Sequence, residues 1–505
     1  MGRSFFYFFF FLFFVQLSSA QEISAQLLDR VSKQPVPYAT IQYGTNKGVV
    51  TNDEGIFSIP SEGTDATISI SSLGYETVEV DIVKIKGIIY LEPQSIQLSD
   101  IFLSDKNLTG KEIIERVIAS VDSNYNFNLT KKRFFFRRSY FNKINQLDLE
   151  VENSTIAELD QNFMNEVVDN IPHYADSYNE YFGDFYGNYD KQKVQLIKAA
   201  KLDNPVNEES LEEITGRMEK IFQKKIGEGT YVKIKSGIIG VKVDGMEFQE
   251  EISETNEAAK PKIKTPEELE KEKADKQKEV QAVAGKFVQR QLRKMFWNED
   301  NTFDVFEKAR KYRFAVDGYA QLDNSVVYVI SFEPKRGADF KGKIYVNTED
   351  FGVHRLDYEN VKAISSFKLF GISTKDDVYR GKMIFSRGMD GKYNPKYLEQ
   401  EDGTTVGIDR PLTMMVKKGN FLWNKKLDEL DMEIRLSNSD ISKFELVVYE
   451  DDPLEESDYE SFQISDNYEY QVFKKYNPDF WNGYNIIEPN AAIKAFTALE
   501  ETTEL

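Results

Sequence analysis

Within residues 21–93, apolar and polar positions alternate in short runs broken by Gly, Pro and an Asp-Glu-Gly turn. This is the pattern of strands that bury one face. Residues 23–28, 36–43, 67–71, 77–80 and 87–91 read as strands, and residues 48–60 as a hairpin turning at Asn52-Asp53-Glu54-Gly55. Six or seven short strands at this density predict a small antiparallel β-sandwich.

The period changes further on. Thr109-Gly110-Lys111-Glu112 has the spacing of a capping box, and Ile113, Ile114, Val117, Ile118 and Val121 then share one helical face. Residues 133–141, rich in Phe and Tyr, read as a strand, and residues 177–189, dense in Tyr, Asn and Gly, as a loop. A helix is expected over 211–222, strand over 231–243, and an exposed connection over 247–264. Thr265-Pro266-Glu267-Glu268 carries every helix-start signal and predicts a helix to about Phe296. Its first half is charged, and its second half gathers Val280, Val283, Phe287, Leu292 and Phe296. That describes a surface helix with one solvated end, or a coiled-coil partner helix.

From Phe303 to Tyr449 the period becomes two. Strands are expected at 326–332, 342–346, 353–358, 382–385, 412–416, 430–436 and 444–449, an antiparallel meander. In the third, Val353, Arg355 and Asp357 share one face and His354, Leu356 and Tyr358 the other. A membrane barrel also alternates, but irregular sequence precedes the meander and the polar run Glu-Glu-Thr-Thr-Glu-Leu closes the sequence. The chain thus divides into 1–20, a sandwich at 21–93, a mixed region at 94–264, a helix at 265–296, a meander at 297–450 and an irregular tail at 451–505. The expected fold class is mainly β with α (α+β).

Several of these stretches resemble a known family. Gln34-Pro35-Val36-Pro37-Tyr38-Ala39-Thr40-Ile41, Thr51-Asn52-Asp53-Glu54-Gly55-Ile56-Phe57 and Ser71-Ser72-Leu73-Gly74-Tyr75 resemble the carboxypeptidase regulatory-like domain. That is a transthyretin-like sandwich of exported Bacteroidetes proteins and of the start of their TonB-dependent receptors. Leu98-Ser99-Asp100-Ile101-Phe102-Leu103 is similar to the acidic-then-apolar segment that often follows it. The resemblance implies a module that binds or braces, and names no activity. Phe340-Lys341-Gly342-Lys343-Ile344-Tyr345-Val346-Asn347 with Gly352-Val353-His354-Arg355-Leu356 resembles the central strands of the lipoprotein-carrier half-barrel, which implies a curved sheet around helices.

Composition narrows the classes. Arg3, the apolar run 5–15 and Ser18-Ser19-Ala20 have the layout of a secretory signal peptide, too short to span a bilayer, with an N-terminal anchor as the alternative. No later apolar run is long enough for a membrane helix, and the absence of cysteine removes disulfides and lipid attachment through a thiol. The net charge of −20 becomes −21 when Arg3 is removed with its acid-free leader, which disfavours nucleic acid.

Candidate chemistry is sparse. His173-Tyr174-Ala175-Asp176, completed by His354, is the nearest approach to a zinc site, and it lacks the rigid ligand-bearing strand such a site needs. No Gly-x-Ser-x-Gly, no phosphate-binding Gly loop and no calcium-loop spacing near Glu450-Asp451-Asp452 or Glu455-Glu456 occurs. Lys131-Lys132-Arg133 and Arg137-Arg138 flank Phe134-Phe135-Phe136, a pattern that suits a lipid or glycan surface or an ordinary strand with snorkelling cations. No catalytic, cofactor-binding or metal residues are assigned, and no cofactor is expected. The expected function is non-enzymatic: a periplasmic or outer-membrane-associated binding or scaffolding protein, with an envelope protein, lipid or glycan as partner. It would hold an apolar ligand or a partner's segment on the C-terminal sheet. An accessory subunit of an outer-membrane transport assembly is one alternative, and a hydrolase or metallopeptidase with an unrecognised site, built on carboxylates in the hydrolase case, is the other.

Overall fold

The structure is a computed structural model that describes residues 22–497 apart from 45–46, 62–64, 95–107, 204–207, 238, 249–264, 300, 323–324, 336, 389 and 420–423. The expected signal peptide, the 98–103 segment and most of the 247–264 connection lie outside the described residues.

The sandwich forms as the alternation requires. Strands β1 (Glu22–Asp29), β2 (Thr40–Gly44), β3 (Lys47–Val50), β4 (Ile56–Pro60), β5 (Thr67–Ser71), β6 (Val78–Asp81) and β7 (Gly87–Leu91) make two sheets, ordered β4-β1-β7 and β3-β2-β5-β6. Leu27, Ile41, Phe57, Ile59, Ile68, Ile70 and Leu91 fill the space between them. Gly55 turns at φ +72°, and a Cβ there would stand 2.6 Å from the Leu27 carbonyl oxygen, so only glycine fits the close crossing of β1.

Everything after residue 107 is organised by one large antiparallel sheet. Its strands are β8 (Thr130–Ser154), β9 (Tyr174–Gly187), β10 (Gln192–Asp203), β11 (Thr230–Ser236), β12 (Ile239–Asp244), β13 (Tyr312–Leu322), β14 (Ser325–Pro334) and β15 (Phe340–Asn347). Then follow β16 (Val353–Asn360), β17 (Ser365–Leu369), β18 (Ile372–Arg387), β19 (Tyr393–Gly419), β20 (Asn424–Pro453) and β21 (Glu469–Phe473). The main order is β13-β14-β15-β16-β18-β19-β20-β8-β9-β10-β21, with β17 on β18 and the hairpin β11–β12 on β19. Only β21 joins in parallel, and the sheet does not close into a barrel.

Strands β8, β19 and β20 run 25, 27 and 30 residues. At about 3.3 Å per residue they reach roughly 80–100 Å. They therefore serve two neighbourhoods. In the proximal half, helices α1 (Gly110–Asn124) and α4 (Pro266–Arg293) pack on the inner face, burying Phe134, Phe136, Leu398, Phe444 and Leu446, while the sandwich covers the outer face at Phe135, Tyr397 and Val447. Both helices start with the expected capping boxes at Thr109 and Thr265. In the distal half, α2 (Gln161–Asn170) and α3 (Glu208–Lys225) cover the far end through Phe163, Met164, Ile221 and Phe222, against Met414, Leu430 and Met432. Gln161 closes the open edge of β8 by accepting from Val151 N (2.8 Å) and donating to Leu149 O (2.9 Å).

Several expectations change. The strand expected over 231–243 is the hairpin β11–β12, its two arms paired antiparallel. The 94–264 region is not a separate unit, because β8, β9 and β10 belong to the meander's sheet; strand partners about 300 residues apart leave no local trace. The 177–189 loop is the body of β9, where Tyr and Gly pack in a sheet buried on both faces. The strands at 430–436 and 444–449 are one strand, β20, whose polar centre Ser437-Asn438-Ser439-Asp440 imitates a turn. The tail, expected to be irregular with residues 477–493 docked, is docked and carries regular elements among its described residues: after α5 (Glu456–Ser461), β21 pairs with β10, Phe480 and Trp481 insert between the units, and α6 (Ala491–Lys494) follows.

Candidate functional site

Ionisable chemistry concentrates where the sandwich meets the sheet. Register places Lys382, Glu399, Glu445, Arg137 and Glu180 in a single row across β18, β19, β20, β8 and β9. Period-two alternation turns all five toward the sandwich. Lys443, one pleat further along β20, lies 3.2 Å from Glu399 Oε2 and 3.5 Å from Glu445 Oε1. The sandwich adds Tyr38, whose hydroxyl reaches Glu399 Oε2 at 3.2 Å and also contacts Asp53, and Asp53 itself, 2.9 Å from Lys443 Nζ. Lys382 Nζ stands 3.5 Å over the Tyr38 ring.

At the other end of the row the tail completes the set. Arg137 pairs with Glu180 at 2.7 Å and donates to Ile487 O at 2.8 Å; Trp481 Nε1 donates to Glu180 Oε2 at 2.8 Å. The turn Asn52-Asp53-Glu54 is a hub of the junction. Asn52 donates to Glu488 O (3.2 Å), Asp53 binds Lys443, and Glu54 accepts from Ala491 N (2.9 Å).

Burial opposes ionisation throughout, and the neighbours decide each outcome. For Glu399, burial is outweighed by Lys382 and Lys443, which hold its carboxyl below the usual value. For Glu445, burial prevails over Lys443 and Arg137 and pushes the carboxyl up. Burial drives the Tyr38 and Tyr397 hydroxyls far up, and lowers Lys382 against the pull of Glu399. Two carboxyls pushed apart form the pattern of an acid/base pair. Here, however, Tyr397 OH stands 2.8 Å from Glu399 and 3.3 Å from Glu445, filling the space between them. The adjoining groove of about 370 Å³ is walled by Lys382 and Glu399, and Glu445 is not among its walls. Chemically, the row joins two units.

The residues singled out in sequence fall apart. His354 is buried in β16, with Nε2 3.3 Å from Tyr393 OH and 3.4 Å from Asn347 Nδ2, while His173 is exposed just before β9. The sheet order puts five strand spacings of about 4.8 Å each between β16 and β9. Asp176 accepts from Tyr178 OH at 3.0 Å. Among the described residues no three His, Asp or Glu side chains converge as a metal site. In the basic run around Phe134-Phe135-Phe136, Lys132 and Arg137 are buried, while Lys131 and Arg133 stay partly in water. Arg133 grips Asp184 with two bonds (2.8 and 3.0 Å), Lys132 meets Asp451 at 2.6 Å, and Arg137 enters the row. Sequence reasoning missed Glu399, Glu445 and Glu180; the available signal was an acid at alternate positions in otherwise apolar strands.

The second arrangement is apolar. On the inner face a polar belt, in which Tyr140 OH and Asn142 Nδ2 each reach Asp440 Oδ1 at 2.6 Å, ends the proximal core. Beyond it, register aligns Val406 with Asn438 and Ile144, then Ile372, Ile408, Leu436 and Leu147 in one row. These apolar side chains are half-buried or exposed, lying between the proximal core and the α2–α3 cap. The outer face at the same level is polar, with Asp148, Glu150, Asp409, Glu433 and Arg435. A third feature, a cleft of about 620 Å³ between sandwich and sheet, has mixed walls, with Gln42, Asn394 and Lys396 beside Leu129, Val448 and Tyr449.

Residues 23–103 match the family model of the CarboxypepD_reg-like domain. No curated protein matches the chain. The match covers the seven-strand sandwich, so the CarboxypepD_reg-like domain supplies a binding or scaffolding module and the long sheet lies outside it. Among the residues that carried the resemblance in sequence, Tyr38 and Asp53 join this domain to the sheet, and Asn52 and Glu54 join it to the C-terminal tail.

Proposed function

We propose that this is a non-enzymatic, exported binding or scaffolding protein of the cell envelope that holds an apolar ligand or partner segment on its long sheet. One observation carries the reading. The inner face of the proximal half is filled by α1 and α4, whereas in the distal half the rows of half-buried Ile144, Val406, Ile408, Leu436 and Leu147 have no helix over them among the described residues. An amphipathic sheet whose apolar side meets water is a place to bind. Export rests on the leader-like residues 1–20.

Mass spectrometry of natively purified protein tests it, with Leu436→Asp as the comparison. The expected result is an apolar molecule or partner that accompanies the parent protein and is lost from a variant of unchanged melting temperature. Parent and variant that both emerge bare, or both loaded, overturn the reading.

A further inference from the structure

The cleft between the sandwich and the long sheet is explained by neither the charged row nor the apolar rows. It has two lobes, of about 620 and about 280 Å³, which share Thr40, Gln42, Ser386 and Arg387 as walls. Cavities of this size at the junction of two units are preferred places for small ligands. Alternation shapes the sandwich side. Ile41 and Ile70 point into the sandwich core, so their neighbours point out, and register pairs Thr40 with Ser71 and Gln42 with Ser69 in two polar rungs. Ser72 follows, with Ser325 of β14 and Ser386 of β18 across the gap. Among the described residues the hydroxyls of Thr40, Ser69, Ser71, Ser72, Ser325 and Ser386 have no hydrogen-bond partner, although Ser71 and Ser72 are each 7% exposed. Buried hydroxyls are ordinarily paired, so these await one.

The charged side chains of the walls are already engaged. Arg355 Nε donates to Asp357 Oδ2 at 2.8 Å; Arg387 Nε donates to Gly391 O at 2.9 Å, and its guanidinium stands 3.5 Å from Asp350 Oδ2. Lys396 donates to Gly48 O at 3.0 Å, Asp451 meets Lys132 at 2.6 Å, and Asp390 accepts from Lys392 N at 2.9 Å. His354 lies against Tyr393 OH and Asn347. An ion entering the cleft would have to displace such partners. The Gly48 carbonyl belongs to edge strand β3, so Lys396 occupies an acceptor that an incoming peptide strand would use. Apolar groups stand between the polar ones: Leu73, Leu322 and Phe385 in the smaller lobe, Leu129 and Val448 in the larger.

We propose that this cleft binds a neutral saccharide. A hydroxyl both donates and accepts, so walls of serine and threonine answer a ligand of the same chemistry and ask for no counter-charge. The apolar wall residues lie against the carbon-bound hydrogens of the sugar ring. The site is separate from the apolar rows of the distal half and does not rest on them.

Saturation-transfer NMR of the purified chain with maltose, cellobiose, lactose and chitobiose decides it, and calorimetric titration measures the affinity of any that responds. At least one disaccharide is expected to bind the parent protein. Ser71→Ala/Ser386→Ala, which removes a hydroxyl from each wall, is expected to weaken binding about tenfold at unchanged melting temperature. Gln42→Ala/Ser69→Ala, on the other rung, is expected to do the same. Silence from every sugar, an affinity indifferent to both double variants, or a response to sodium sulfate or a Gly-Ser-Gly peptide in place of the sugars overturns the proposal. Leu436→Asp is expected to bind saccharide as the parent does, so the apolar reading and this one fail separately.

Discussion

The two halves of the long sheet share the same strands and differ in what lies over them. Near the sandwich, β8, β19 and β20 are covered on both faces, and their residues divide into an apolar side under helices and a charged side under the CarboxypepD_reg-like domain. Farther out the same strands carry acids and Arg435 on the outer face and half-buried apolar rows within. The lesson is that charge can sit in the covered half and hydrophobicity in the open one. Polar groups are buried where two units are joined, and apolar groups are left partly open in the half to which apolar binding is assigned by proposal.

The sharpest way to break this comparison is at the covered end. Arg137→Leu strands the buried Glu180 carboxylate and is expected to cost about 3–5 kcal/mol in urea unfolding, while Arg137→Leu/Glu180→Leu recovers most of it. If the double variant is no better than the single, the row is not a mutually compensating pair. Phe136→Ala should cost about 3–5 kcal/mol, because its site between Tyr181, Phe287 and Phe444 cannot collapse, whereas Leu436→Ala in the open half should cost below about 1.5 kcal/mol. Equal costs would mean that the distal face is not open.

The junction also responds to acid in two directions. Glu399 and Asp53 are held below their usual 4.5 and 3.8, so their contribution is complete above those values and is lost as pH falls through the lowered ones. Glu445, raised above 4.5, does the reverse: stability declines as pH climbs from 4.5 through its raised value, by about 1.4 kcal/mol for each unit of that rise. Melting temperature measured from pH 4.5 to 8 should therefore fall less in Glu445→Gln than in the parent protein. A parallel pair of curves would assign the decline elsewhere. The smallest effect is expected at the rim, where Asp53→Ala should cost no more than about 1 kcal/mol, since half of that side chain is in water.

Much of this fold can be read from local pattern. The sandwich, both capping boxes and the helix at residue 265 follow from signals a few residues long. The large sheet could be seen only in pieces, because its central pairing of β8 with β20 joins residues some 300 apart and its strands change face partners midway. Polar side chains at the change, such as Asn438 and Asp440, look like turns when the neighbouring strands are unknown. The row Lys382–Glu399–Glu445–Arg137–Glu180 was illegible for the same reason: each charge sits alone in its own strand, and register alone assembles them. His354 stood out by rarity and proved to be a packed side chain beside Tyr393.

The strap formed by residues 476–491 touches Glu180 through Trp481, Arg137 through the Ile487 carbonyl, and the sandwich turn at Asn52 and Glu54. On the ribosome it emerges after both bodies that it ties together. Until then the sandwich can fold while Arg137 and Glu180 lack two of their partners. The joint is therefore sealed last: a product truncated before Trp481 would keep the contacts of Tyr38 with Glu399 and Asp53 with Lys443 but lose those the strap makes to Glu180, Arg137 and the sandwich turn.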